Sequence, residues 1–109
     1  MTTLEILEKA KELIKEPEKW CKGADARNDE GKIVDVLSNT AVAFCLSGAV
    51  KKVVGNTWSP VFTHAFLRLC SVCPINCVLY FNDLPECTHL DIIAILNRAI
   101  EREKETLSG

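Results

Sequence analysis

The uneven distribution of charge is the feature of this sequence that most constrains its fold. Between residues 38 and 100 the only charged side chains are Lys51, Lys52, Arg68, Asp83, Glu86, Asp91 and Arg98, and residues 1–37 and 101–105 carry all the others. Because charged side chains are rarely buried without a partner, the central stretch is predicted to form the core and the two ends to be solvated. At 109 residues and 48% hydrophobic, the chain is expected to form a single domain over residues 1–109.

Helical periodicity predicts four helices, at about residues 3–16, 39–54, 60–71 and 89–104. A residue that can cap a helix N-terminus precedes each of them: Thr2, Ser38, Ser59 and Thr88. The second helix is apolar nearly all round, so it is expected to lie at the centre of the fold. Pro17 and Gly55 supply stop signals for the first two helices.

A small β-hairpin is predicted between helices 1 and 2. Its arms, residues 23–27 and 32–35, flank a glycine-containing turn at residues 28–31. Residues 75–81 form an apolar run that fits either a short buried helix or a strand, and a helical turn is favoured. The predicted fold class is therefore mainly α, with about four helices packed on one core and a small hairpin between the first two.

Charge and hydropathy argue against several classes of function. The net charge is −2, which gives no electrostatic footprint for nucleic acid, so no nucleic-acid partner is expected. The apolar runs are shorter than the roughly 20 residues that a membrane helix needs, so no membrane association is expected. Without a visible export signal, the expected location is cytoplasmic and the six cysteines are expected to be reduced thiols.

Three blocks in the sequence resemble a family of small uncharacterised bacterial and phage proteins, whose pattern is W-x-x-G-A-x-A, C-x-x-G-A and N-D-x-P-x-x-T-H. The matching residues are Trp20, Gly23, Ala24, Ala26, Ala41, Cys45, Gly48, Ala49, Asn82, Asp83, Pro85, Thr88 and His89. The resemblance covers nearly the whole chain. It implies a compact unit from a bacterial or phage genome, with no established activity and no known cofactor. The chain departs from the family at Phe81, where a Trp is common.

Four cysteines outside that pattern raise the alternative of a structural zinc site. Cys70, Cys73 and Cys77 have C-x2-C-x3-C spacing, and Cys87 follows; thiolates are suitable zinc ligands. Only the Cys70/Cys73 pair has the tight spacing of a zinc ligand pair, and the first three cysteines also fit a buried helical stripe. Core packing is the preferred interpretation, so no metal site and no cofactor are predicted.

A Cys/His-dependent hydrolase or transferase is a second alternative. Cys45 would be the nucleophile, and His64 or His89 the base. Asn82 or Asp83 would orient that base. If Cys45 instead faces the core of a buried helix, its thiol has a raised pKa and is inert.

The leading hypothesis is a non-enzymatic protein-interaction or accessory factor of bacterial or phage origin. Loops carry function more often than cores do, and the segments 20–26 and 82–89 are rich in turn residues. The predicted binding surface consists of Trp20, Arg27, Asn82, Asp83 and His89. Trp20 and Trp58 lie in connecting segments and are expected to cover the core from the loops. The partner is an unidentified protein. A homodimer is an alternative, because burying a helix that is apolar nearly all round takes more contacts than one small domain easily supplies.

Overall fold

The computed structural model describes residues 1–108, which leaves only Gly109 outside the described residues, and it confirms a mainly helical architecture. The elements in chain order are α1 (Thr3–Leu13), a 3-10 turn (Pro17–Lys19), β1 (Ala26–Arg27), β2 (Ala43–Phe44), α2 (Leu46–Val54), α3 (Pro60–Val72), α4 (Val78–Asp83) and α5 (His89–Ser108). Helix α4 confirms the helical turn predicted at residues 75–81 in part, because it begins at Val78 and continues to Asp83. The two strands pair antiparallel between α1 and α2, where the hairpin was predicted.

The predicted arm at residues 32–35 does hydrogen-bond to β1, from the Val34 N–H to the Ala26 carbonyl at 3.1 Å, but the regular strand that pairs with β1 is a different segment, β2. Residues 28–31 do form a turn, closed by a 2.9 Å hydrogen bond from the Asn28 N–H to the Lys32 carbonyl. The arm at residues 32–35 forms only an isolated bridge with β1, between Arg27 and Ile33. Instead, β1 pairs with β2, whose two residues are both buried, whereas Ile33 is 67% exposed. The core therefore selects the strand that can bury its side chains.

Helix α2 begins at Leu46, later than the predicted start near residue 39. The residues before it form β2, and the N-cap is Cys45 rather than Ser38. Periodicity cannot separate a buried strand from a buried helix when the apolar run is continuous, and this run contains both. Residues 46–50 are all buried, in agreement with the expected central position of α2.

Local capping chemistry sets the other helix starts as predicted. Thr2 and Glu5 form a reciprocal capping box at α1. The Ser59 hydroxyl accepts a hydrogen bond from a backbone N–H of α3 at 3.3 Å. At α5, Thr88 and Asp91 each accept a hydrogen bond from the backbone N–H of the other.

The core lies where α1, α2, α3 and α5 pack together. Its largest fully buried apolar side chains are Ile6, Leu7, Ile14, Leu46, Val50, Leu69, Val78, Ile92 and Leu96. Trp20 packs against this core as expected, but Trp58 is 93% exposed, so the prediction that Trp58 covers the core is wrong. Residues 55–58, which begin at Gly55 with a φ of +80°, are all exposed. Among residues 1–108, no helix has the length and hydropathy of a membrane span.

One ion pair lies on the buried face between α3 and α5. Glu103 is 5% exposed, and its Oε1 accepts a hydrogen bond from Arg68 Nε at 2.9 Å. His64 Nε2 lies 3.7 Å from the same oxygen. Because a buried carboxylate needs a counter-charge, this pair couples the C-terminal half of α5 to α3.

We expect Arg68→Ala to lower the free energy of unfolding by about 2 kcal/mol, because the buried carboxylate of Glu103 loses its guanidinium. The double variant Arg68→Met/Glu103→Met should be closer to wild type, since no buried charge remains. Urea denaturation monitored by circular dichroism measures both. Arg98→Ala is the control, because Arg98 is exposed. A double variant that is less stable than Arg68→Ala would contradict this account.

A candidate functional site where three segments meet at Asn82

The side chain of Asn82 joins three parts of the chain that are far apart in sequence. It lies on α4 and is 1% exposed. Its amide reaches the segment at residues 20–25 and the N-terminus of α2. We call this meeting point the junction. It contains one residue or more from each of the three blocks that carry the family resemblance, so tertiary structure brings those blocks together.

The hydrogen-bonding capacity of the Asn82 amide is fully used. Its Oδ1 accepts from Trp20 Nε1 at 2.7 Å and from the Leu46 backbone N–H at 3.0 Å. Its Nδ2 donates to the Cys21 carbonyl at 3.1 Å and to Asp83 Oδ1 at 3.0 Å. An amide offers two donors and two acceptor lone pairs, so these four bonds leave none of them free. Asn82 is therefore a structural link and is not available to a ligand.

The segment at residues 20–25 is held on α4 by two more contacts. The Gly23 N–H donates to Asp83 Oδ1 at 3.0 Å, and Gly23 has a φ of +78°, which favours glycine. Lys22 Nζ donates to the Leu84 carbonyl at 2.6 Å and lies 5.6 Å from the centre of the Trp20 ring. These contacts fix the conformation of a segment with almost no regular secondary structure.

The same segment also contacts α2 closely. A Cβ on Gly48 would lie 2.0 Å from the Asp25 carbonyl oxygen, so only glycine permits this approach. The Asp25 side chain accepts from Lys51 Nζ at 2.7 Å. Gly48 is the glycine of the C-x-x-G-A block, and this close contact accounts for a glycine at that position. The Asp25–Lys51 pair was not predicted, because no local spacing relates two residues on separate elements.

Cys45 occupies the N-cap of α2. Its Sγ accepts from the Gly48 N–H at 3.2 Å and lies 3.6 Å from Asp25 Oδ1, to which the thiol donates. The pKa of the Cys45 thiol is raised to about 12, mainly by burial; the Gly48 N–H opposes this rise and the Asp25 charge contributes to it. The thiol is therefore neutral at physiological pH and a poor nucleophile. It was expected within a helix, and it lies instead at a helix start.

The two histidines considered as bases for Cys45 have other partners. His89 Nε2 donates to the Ile14 carbonyl at 2.7 Å, and its ring centre lies 6.1 Å from that of Trp20. His64 lies beside Glu103, on the face between α3 and α5. The structure thus places neither histidine in hydrogen-bonding contact with the thiol.

The remaining predicted site residues differ in their exposure. Arg27 donates to the carbonyls of Lys22 and Gly31, which closes the turn after β1. Asp83 is exposed, and it lines a small cleft of about 150 Å³ with Asp25, Cys45 and other residues. All five residues predicted as a binding surface, Trp20, Arg27, Asn82, Asp83 and His89, thus make internal hydrogen bonds, and of these Asp83 is the exposed one. Their role in contacting a partner stays a prediction.

The four cysteines of the zinc alternative lie around the α3–α4 connection. Cys73 and Cys87 are buried, while Cys70 and Cys77 are partly buried. The predicted helical stripe is wrong, because α3 ends at Val72 and Cys73 and Cys77 cap helix ends. Among residues 1–108, no group of three or more His, Cys, Asp or Glu side chains is arranged to hold a metal ion.

Exposed apolar residues on and before α4 were missed by the sequence analysis. Ile75, Leu79 and Tyr80 are 45%, 50% and 69% exposed, and Leu79 also lines the cleft beside Asp83. We call Ile75, Leu79, Tyr80 and Asp83 the α4 surface. The apolar run at residues 75–81 was interpreted as buried, and in so short a helix only one face can reach the core. The i, i+4 spacing of Leu79 and Asp83 was the signal that could have indicated the outer face of α4.

We expect Asn82→Ala to lower the free energy of unfolding by about 3 kcal/mol, because the Leu46 N–H, the Trp20 indole N–H and the Cys21 carbonyl lose their partner. Asn97→Ala, an exposed substitution on α5, is the matched control and should cost less than about 0.5 kcal/mol. Urea titration measures both. Equal losses in the two variants would show that the junction contributes little.

Alkaline pH should destabilise the wild type more than Cys45→Ser. The unfolded thiol ionises near pH 9, whereas the folded thiol keeps its proton until about pH 12, so stability is lost as the pH rises above 9. Serine can still accept from the Gly48 N–H but does not titrate there. Between pH 8 and pH 10 the wild type should lose about 1 kcal/mol more than the variant in urea denaturation. Equal losses would contradict the buried neutral thiol.

Comparison with known proteins yields a single finding. A family model described as "Family of unknown function (DUF6197)" matches residues 1–102. The comparisons with curated proteins and with solved structures gave no match. The match spans the junction and all the helices that build it. The chain therefore belongs to this family of unknown function.

Proposed function

We propose that this chain is a non-enzymatic protein-binding module whose contact surface is the α4 surface. The observation that carries the proposal is the exposure of Ile75, Leu79 and Tyr80 within six residues, at 45%, 50% and 69%. Tyrosine is enriched among the residues that dominate binding energy, because it adds a large apolar area with one polar group. A carboxylate, Asp83, lies at the edge of the same surface.

The rigid support beneath this surface favours binding. Asn82 lies between the exposed positions in sequence, and its side chain points inward to the junction. The four hydrogen bonds of its amide hold α4 against residues 20–25 and α2. A contact surface on a fixed backbone loses less conformational freedom when a partner binds. The junction residues would then act by positioning α4 rather than by contacting the partner.

The alternative functions have less support from the geometry. A thiol hydrolase or transferase needs an ionisable thiol beside a base, whereas burial raises the pKa of Cys45 to about 12 and both histidines have other partners. A zinc protein needs convergent ligands, and none are grouped among residues 1–108. The bacterial or phage accessory role, a cytoplasmic location and the lack of a nucleic-acid partner rest on the resemblance and on composition alone.

Replacing the exposed side chains tests the proposal. We expect Leu79→Ser/Tyr80→Ser to change the free energy of unfolding by less than about 1 kcal/mol, since both side chains are largely exposed. In affinity capture from the native host, the variant should retain at least tenfold less of any protein that the wild type retains, as measured by quantitative mass spectrometry. Trp58→Ser/Leu90→Ser is the matched control, because Trp58 and Leu90 are 93% and 78% exposed on other elements.

Two outcomes would contradict the proposal: no protein is retained specifically, or the α4 variant retains the same protein as the control. Sedimentation analysis of the purified chain tests the homodimer hypothesis. If a dimer forms in the wild type and is lost in the α4 variant, the partner is a second copy of this chain.

A further inference from the structure

A second surface lies on a different part of the molecule, in a groove between α1, the 3-10 turn, β2 and α2. The groove has a volume of about 550 Å³. Its walls and floor include the apolar residues Leu13, Val42 and Val53, and its rim includes Lys9, Lys19 and Lys52. We call it the lysine groove. It shares no residue with the α4 surface.

The lining of the groove carries an excess of positive charge, with three lysines against one acidic residue. Among residues 1–108, no carboxylate oxygen lies within 4.0 Å of the ammonium groups of Lys9, Lys19 and Lys52. The one acidic lining residue, Glu12, lies 4.0 Å from Lys15, outside the groove. The groove is therefore a basic region on a chain whose net charge is −2.

The apolar part of the groove is accessible. Val42 is 46% exposed, although the chain continues from it directly into the buried strand β2. Leu13 and Val53 are partly buried. Covering these side chains would release water from apolar surface, which is the main source of binding free energy in helix-in-groove complexes.

We propose that the lysine groove binds an acidic amphipathic protein segment, with two or three aliphatic or aromatic side chains inserted between α1 and α2 and with Asp or Glu residues facing the three lysines. Charge complementarity determines the acidic character of the partner, and the apolar floor determines that it is a protein segment. A nucleic-acid backbone would use the lysines but would leave Leu13, Val42 and Val53 uncovered. The inference does not depend on the α4 surface.

Two synthetic helical peptides of about 16 residues test it. One has Leu at positions i, i+3, i+4 and i+7 with Glu on its flanks, and the other has Lys in place of every Glu. Fluorescence anisotropy with the full chain should show saturable binding of the acidic peptide only, and binding at least tenfold weaker in 500 mM than in 50 mM NaCl. A duplex DNA oligonucleotide is the probe for the nucleic-acid alternative.

Matched charge reversals locate the binding site. Lys9→Glu/Lys52→Glu should weaken binding of the acidic peptide at least tenfold, whereas Arg98→Glu/Arg102→Glu makes the same change of charge on exposed positions of α5 and should weaken it less than threefold. Val42→Ser should also weaken binding at least threefold without a change of charge. Circular dichroism checks that each variant is folded.

The proposal is overturned if the acidic peptide does not bind, if the two double reversals weaken binding equally, or if DNA binds more tightly than the peptide. If a lysine variant fails to fold, the Val42→Ser variant and the salt dependence of binding to the wild type still test the proposal. If this proposal fails, the proposal for the α4 surface is not affected, because it is tested by different substitutions.

Discussion

The arrangement of this protein depends on one buried amide. Asn82 is enclosed by α4, α2 and residues 20–25, and each polar atom of its side chain makes two hydrogen bonds. A buried amide with an unpaired atom would carry a desolvation penalty, so the three segments must all be present for the site to be stable. This condition gives the irregular segment at residues 20–25 a defined conformation, and that conformation sets the position of β1 and of the turn after it.

The junction has a consequence for the function of the molecule. The residues that first suggested chemistry, Cys45, Asn82 and His89, use their polar atoms in hydrogen bonds to backbone and side-chain groups of the protein itself. Burial keeps the thiol protonated, and a helix N-cap rather than a reaction accounts for its position. The two surfaces that we propose for contacts with other molecules, the α4 surface and the lysine groove, are both at least partly exposed.

Local signals account for the parts of the fold that could be predicted. The starts of α1, α3 and α5 follow from Thr2, Ser59 and Thr88, because a capping side chain bonds to backbone groups within three residues. The start of α2 and the partner of β1 could not be predicted. Both depend on whether residues 43–44 lie on a strand or a helix, and the choice is made by contacts with residues 20–27.

For the candidate site, the sequence alone determined which residues are special: Trp20, Gly48, Asn82 and Asp83 were singled out by pattern. The tertiary structure alone decided what they do, because hydrogen bonds between residues 36 to 62 positions apart, and the close contact between Gly48 and Asp25, leave no local spacing to interpret. The lysine groove depends on the tertiary structure even more strongly. Its three lysines come from α1, the 3-10 turn and α2, and only the packing of these elements brings their charges to one rim.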